Sequence, residues 1–125
     1  MSTTPHQHPN KILVIEDEGE MCLLLNLILG DQGMSIDHVN SLSAARAFLE
    51  KEIPSLILLD NRLPDGLGVD FISYLKKSLP SVKIIMISGV DPEAEDAALE
   101  IGADSFLSKP FTKKQLQESI NNLLN

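Results

Sequence analysis

The chain has 125 residues and a formal net charge of −8, with 43% hydrophobic and 22% charged residues. That length suits one domain with its own core, and the composition excludes disordered and fibrous designs. The acidic balance excludes non-specific nucleic-acid binding by this domain, which needs Lys and Arg against phosphates, and Cys22, the single cysteine, leaves no internal disulfide and suits a reducing, cytoplasmic setting.

Met1 to Asn10 are polar and lack the apolar stretch of a secretory signal, so a flexible N-terminal tail over residues 1–10 and a folded domain over residues 11–125 are expected. The first predicted strand is Lys11 to Glu16. The first helix follows with a stripe of Met21, Leu24, Leu25 and Ile28, and Gly33 marks its stop. The run Met21 to Leu29 is less than half of a bilayer span, so no membrane association is expected. A second strand, Met34 to Val39, alternates polar and apolar residues as an edge strand does, and His38 on it is assigned to the surface.

The second helix is expected from about Ser41 to Glu52, the third strand from Ser55 to Asp60, the third helix from Leu67 to Leu79 and the fourth strand from Val82 to Ser88. Asp91-Pro92 reads as the cap and first turn of a fourth helix whose inward positions are Ala94, Ala97, Ala98 and Ile101, before a stop at Gly102. Alanines bury less area than leucines, so this should be the loosest helix. The fifth strand is Asp104 to Ser108. Thr112 with Gln115 forms a capping box for the last helix, which buries Leu116, Ile120, Leu123 and Leu124. The runs Ile12 to Ile15, Leu56 to Leu59 and Ile84 to Ile87 are apolar on both faces, as strands covered by helices on both sides are. The fold class is therefore α/β, a parallel sheet built of repeated βα units.

In such sheets ligands bind beyond the carboxyl ends of the strands. Here those ends carry Glu16-Asp17, Asp60, Ser88-Gly89 and Lys109-Pro110. Asp60 closes Leu56-Ile57-Leu58-Leu59 with no turn residue between, so its carboxylate emerges from a buried strand and must be paired or functional. Two carboxylates about 4 Å apart repel by about 4 kcal/mol at an effective dielectric of 20. If Glu16, Asp17 and Asp60 converge, three such pairs rival a whole domain's stability of roughly 5–15 kcal/mol. Protonation, an ammonium group or a metal must relieve them, and hard oxygen ligands favour Mg²⁺ (or Mn²⁺). Lys109 supplies a point charge suited to a carboxylate before reaction and to a phosphoryl oxygen after it.

This order of residues, with the segment Asp60-Asn61-Arg62-Leu63-Pro64-Asp65-Gly66-Leu67-Gly68, resembles the receiver domains of two-component response regulators across residues 11–124. The resemblance implies a doubly wound (βα)5 flavodoxin-like three-layer sandwich with strand order 2-1-3-4-5. It implies that Asp60 accepts a phosphoryl group from a sensor histidine kinase or phosphotransfer protein, and that the surface then changes for a downstream effector or output domain. It further implies Mg²⁺ held by Asp17, Asp60 and the backbone carbonyl of Arg62, with Glu16 reaching it through water. Lys109 and Ser88 would contact the phosphoryl group, Ser88 and Phe106 would form the switch, and Arg62, Gly89 and Val90 would tune phosphate loss. A cis peptide at Lys109-Pro110 is also implied. Phe106 lacks the hydroxyl of the tyrosine often found at that place, which puts in doubt any signal resting on its hydrogen bond.

Three other readings compete. Haloacid-dehalogenase-type phosphotransferases need a second acid two residues after the first, where this chain has Arg62, and a nucleotide or flavin binder needs a glycine-rich loop after the first strand, which is absent. The alternative that keeps the fold is a receiver-like protein interaction module that is not phosphorylated. The expectation for the chain as a whole is a stand-alone receiver or the front end of a longer regulator, and not an enzyme.

Overall fold

A computed structural model describes residues 6–30, 33–89 and 92–124, with residues 6–10 described by their backbone alone. Val90 and Asp91, expected to tune phosphate loss and to cap the fourth helix, lie outside the described residues. Strands β1 (His6–Ile15), β2 (Ser35–Val39), β3 (Glu52–Asp60), β6 (Lys83–Ser88) and β7 (Ser105–Ser108) form one parallel sheet in the order β2-β1-β3-β6-β7, while β4 (Arg62–Leu63) and β5 (Gly66–Leu67) make a small antiparallel hairpin. Counting only the five sheet strands, this is the expected 2-1-3-4-5 order. The helices are α1 (Gly19–Gly30), α2 (Leu42–Leu49), α3 (Gly68–Ser78), α4 (Pro92–Ile101) and α5 (Lys113–Leu124).

Strand alternation feeds two separate cores. Ile57 and Leu59 of β3 join Ala45, Leu49, Phe71, Ile72, Leu75 and Ala98 beneath α2, α3 and α4. Leu56 and Leu58 of the same strand join Cys22, Leu25, Leu29, Leu116 and Ile120 beneath α1 and α5. The central strands are thus covered on both faces, which is why their apolar runs are continuous.

Several boundaries differ from expectation. Strand β1 begins at His6 rather than Lys11, because the backbone of His6, Gln7 and His8 continues the ladder against Glu52, Ile53 and Pro54 across a register shift between His8 and Ile12. Strand β3 begins at Glu52, which the spacing assigned to the second helix. That helix instead ends at Leu49, and Ile53, preceding Pro54, is held extended by the proline ring.

The stripe of α1 is also shifted: Cys22, Leu25, Ile28 and Leu29 are buried, whereas Leu24 is exposed with Leu23 and Leu27. In α4 only Ala98 is fully buried, and Ile101, expected inward, is exposed where the chain turns at Gly102, whose φ is 130°. The weak anchoring expected of this helix is present. The capping box of α5 forms as read, Thr112 N–H donating to Gln115 Oε1 at 2.8 Å and Gln115 N–H to Thr112 Oγ1 at 3.0 Å.

Candidate functional site

Each acid arrives on its own strand end. Strand β1 delivers Glu16 and Asp17, and neighbouring β3 delivers Asp60, so that one carboxylate oxygen from each lies within 4.8 Å of the others. Glu16 is 2% and Asp60 5% exposed, while Asp17 lies open to solvent. Lys109, leaving β7 through a cis peptide to Pro110, brings its Nζ to 3.3 Å from both Glu16 Oε2 and Asp60 Oδ1, and to 3.9 Å from Glu18 Oε1.

One ammonium does not neutralise this group. Burial, and then the Asp60 charge, push the Glu16 carboxyl up to about 7 against the pull of the Glu18 N–H and Lys109. Burial likewise raises Asp60, outweighing Lys109 and its hydrogen bonds. Burial draws the Lys109 ammonium down, yet Asp60 and Glu16 more than offset this and hold it above its ordinary value. Hard carboxylate oxygens in excess over the one cation, two of them buried, form a donor set that fits Mg²⁺.

The backbone around Asp60 is fixed by its own loop. Asn61 is buried, its N–H donates to Asp60 Oδ1 at 2.9 Å, its carbonyl accepts from Gly68 N–H at 2.7 Å, and its side-chain Oδ1 accepts from Val69 N–H at 3.1 Å. The loop thereby folds back as the β4–β5 hairpin and starts α3 against the end of β3. Gly68 is required there, since a Cβ would collide with the Asp60 carbonyl oxygen. Asp65 in the same loop accepts from Leu42 N–H and Ser43 N–H, both at 2.9 Å, and so caps α2.

The other expected residues lie on β4, at the end of β6 and on β7. Ser88 is buried at the end of β6, and its carbonyl accepts from Lys109 N–H at 2.6 Å. Gly89 borders open space, with nothing within 4 Å of where a Cβ would stand. Arg62 is exposed, and Phe106 is partly buried against the core of the α2–α3–α4 face.

Sequence reasoning gave His38 no role, and this is corrected. Its ring Nε2 lies 2.6 Å from the Glu16 carbonyl, which also accepts a long contact from Cys22 Sγ at 3.7 Å. Cys22 is thus more than a small hydrophobe, although burial pushes its thiol up to about 11 and keeps it protonated. Neither contact has a signature in spacing, because each joins elements that meet only in the fold.

Comparison with known proteins agrees with this geometry. The family described as response regulator receiver domain matches residues 12–121. The chain is 36% identical over 107 residues to the KDP operon transcriptional regulatory protein KdpE of Escherichia coli, covering 85% of this chain and 47% of that protein. It is 32% identical over 111 residues to the response regulator protein PilR of Pseudomonas aeruginosa, covering 88% of this chain and 25% of that protein. It therefore spans about a quarter to a half of the length of these relatives. The receiver domain of NtrX from Brucella abortus superposes with a TM-score of 0.85 at 30% identity, covering 90% of this chain and 97% of that one. Sheet order, the acidic pocket at the strand ends and the family match converge, and the chain belongs to the receiver domains of two-component response regulators, the family whose role is to accept a phosphoryl group.

Proposed function

We propose that Asp60 is the phosphoacceptor, supplied by a sensor histidine kinase or phosphotransfer protein. The observation that carries this is a nearly buried Asp60 at the end of β3, sharing a pocket with Glu16 and Asp17 and lying 3.3 Å from Lys109 Nζ. In the transfer an Asp60 carboxylate oxygen attacks phosphorus, the bond from phosphorus to the donor imidazole nitrogen breaks, and the imidazole leaves with that electron pair. Asp60 must be ionised to attack. Lys109 favours that form before transfer, and its ammonium then serves the new phosphoryl oxygens.

Asp17, Asp60 and the Arg62 carbonyl would hold Mg²⁺, with Glu16 reaching it through water. When bound, the ion supplies charge stabilisation for a phosphoryl group crossing an acidic pocket. The Ser88 hydroxyl, at the adjacent strand end, turns toward a phosphoryl oxygen, and Phe106, packed only in part, moves further into the core. The surface of α4, β7 and α5 then differs for a downstream effector or output domain. Arg62, Gly89 and Val90 set how fast water removes the phosphate. The domain acts as a signalling module in the cytoplasm rather than as an enzyme on a metabolite, in keeping with the free thiol of Cys22.

Incubation with Mg²⁺ and acetyl phosphate, followed by intact mass, tests this. The wild-type chain gains one phosphoryl group, and Asp60→Asn gains none. A wild-type chain without mass gain, and without spectral change on adding beryllofluoride, would show an interaction module that has lost the switch.

A further inference from the structure

The geometry points to His38 as a positioning residue for the metal-binding loop, an inference that rests on the reading of the acidic pocket given above. His38 lies on β2, the edge strand, paired in register with Val14, and its exposed ring crosses the end of β1 to reach the Glu16 carbonyl at 2.6 Å. A carbonyl oxygen only accepts, so Nε2 carries the proton and donates.

That carbonyl belongs to the peptide joining Glu16 to Asp17. A peptide is planar, so holding its oxygen fixes the plane from which the Asp17 backbone departs. Asp17 needs such help. It is exposed, and its carboxylate has no hydrogen-bond partner among the described residues, so its aim depends on its own backbone. Glu16, by contrast, is tied at every polar group. Its N–H donates to Val39 O at 3.0 Å, Oε1 accepts from Glu18 N–H at 3.1 Å, and Oε2 lies 3.3 Å from Lys109 Nζ. The carbonyl is the last of these anchors and the only one directed at Asp17. Its other donor, the Cys22 thiol, is long and weak at 3.7 Å. His38 therefore orders the Asp17 carboxylate before the ion arrives, which lowers the ordering cost of binding.

The test measures Mg²⁺ binding directly by calorimetry, with no phosphodonor present, alongside thermal melting in EDTA. Partners behind metal ligands typically change affinity by about 10–100-fold, and a partner acting through the backbone belongs at the low end. His38→Leu is expected to weaken Mg²⁺ by about tenfold, and His38→Gln, whose amide N–H can reach the same oxygen, to restore most of it. Lys76→Met serves as a control, since it breaks the ion pair of Lys76 with Asp104 at 2.9 Å away from the pocket; it should lower the melting temperature and leave Mg²⁺ affinity alone. Wild-type Mg²⁺ affinity in His38→Leu, or equal weakening in His38→Gln and His38→Leu, overturns the assignment while wild-type phosphoryl uptake stands. Failure of the wild-type chain itself to bind Mg²⁺ overturns the reading of the pocket, and this inference with it.

Discussion

Arg62 lies two residues after Asp60, on the short strand β4, and is exposed to solvent. A bulky cation at that place narrows the approach of water to an acyl phosphate. Arg62→Ala is expected to shorten the half-life of the phosphorylated chain by roughly threefold, equivalent to about 0.7 kcal/mol of barrier. The decay of the mass-shifted species after removal of acetyl phosphate measures it, and an unchanged half-life would remove Arg62 from the tuning set. Arg62 enters only through the resemblance, whereas Asp60 is legible in sequence because it follows a continuous apolar run: a carboxylate directly after Leu56-Ile57-Leu58-Leu59 has nowhere to go but the sheet edge. His38, Asn61 and Gly68 are not legible in the same way. Each acts through a backbone group whose position depends on how another segment folds over it, and a glycine in a loop gives no sign that its missing Cβ admits the Asp60 carbonyl.

Helix α2 owes its start to two caps. One is local, Ser41 Oγ accepting from Ala44 N–H at 3.1 Å; the other is Asp65, from the loop that follows Asp60. The Leu42 N–H first, and then the Ser43 N–H, hold the Asp65 carboxyl below its ordinary value. A carboxyl depressed by folding adds stability above its unfolded value, about 3.9, and that stability is lost as pH falls through the folded value. Asp65→Asn should therefore melt below wild type at neutral pH, with the gap closing as the pH is lowered toward 3; paired thermal melts across that range measure it. A gap that does not depend on pH would show that the charge is idle. The Ser41 cap can be read from sequence, but the Asp65 cap joins positions far apart in the chain. Helix α1 shows a different limit: with apolar residues nearly all round, its spacing supports more than one buried stripe, and packing against β1 selects Cys22 over Leu24.

Across the whole molecule, four of the eighteen acidic residues of a chain of net charge −8, Glu16, Asp17, Glu18 and Asp60, gather at one pole. The Glu16 carboxyl, raised to about 7, binds its proton more tightly in the folded chain than in the unfolded one. A contribution of that sign is fully present below the unfolded value and is lost as pH rises through the folded one. In EDTA, the stability of wild type relative to Glu16→Gln should fall between about pH 4.5 and 7, and Mg²⁺ at pH 8 should reverse most of the loss. Thermal melts of the two chains over this range provide the comparison, and parallel curves in EDTA would contradict the placement of Glu16.

The sheet is a wall between two interiors, since neighbouring residues of β3 face opposite sides and share no side-chain neighbours. A repacking behind Phe106 and the lightly seated α4 would therefore begin in the compartment under α2, α3 and α4, and would reach α5 by way of β7, whose Phe106 faces one compartment and Leu107 the other. The packing of α1 on the central strands can then hold its shape as a platform for an incoming donor.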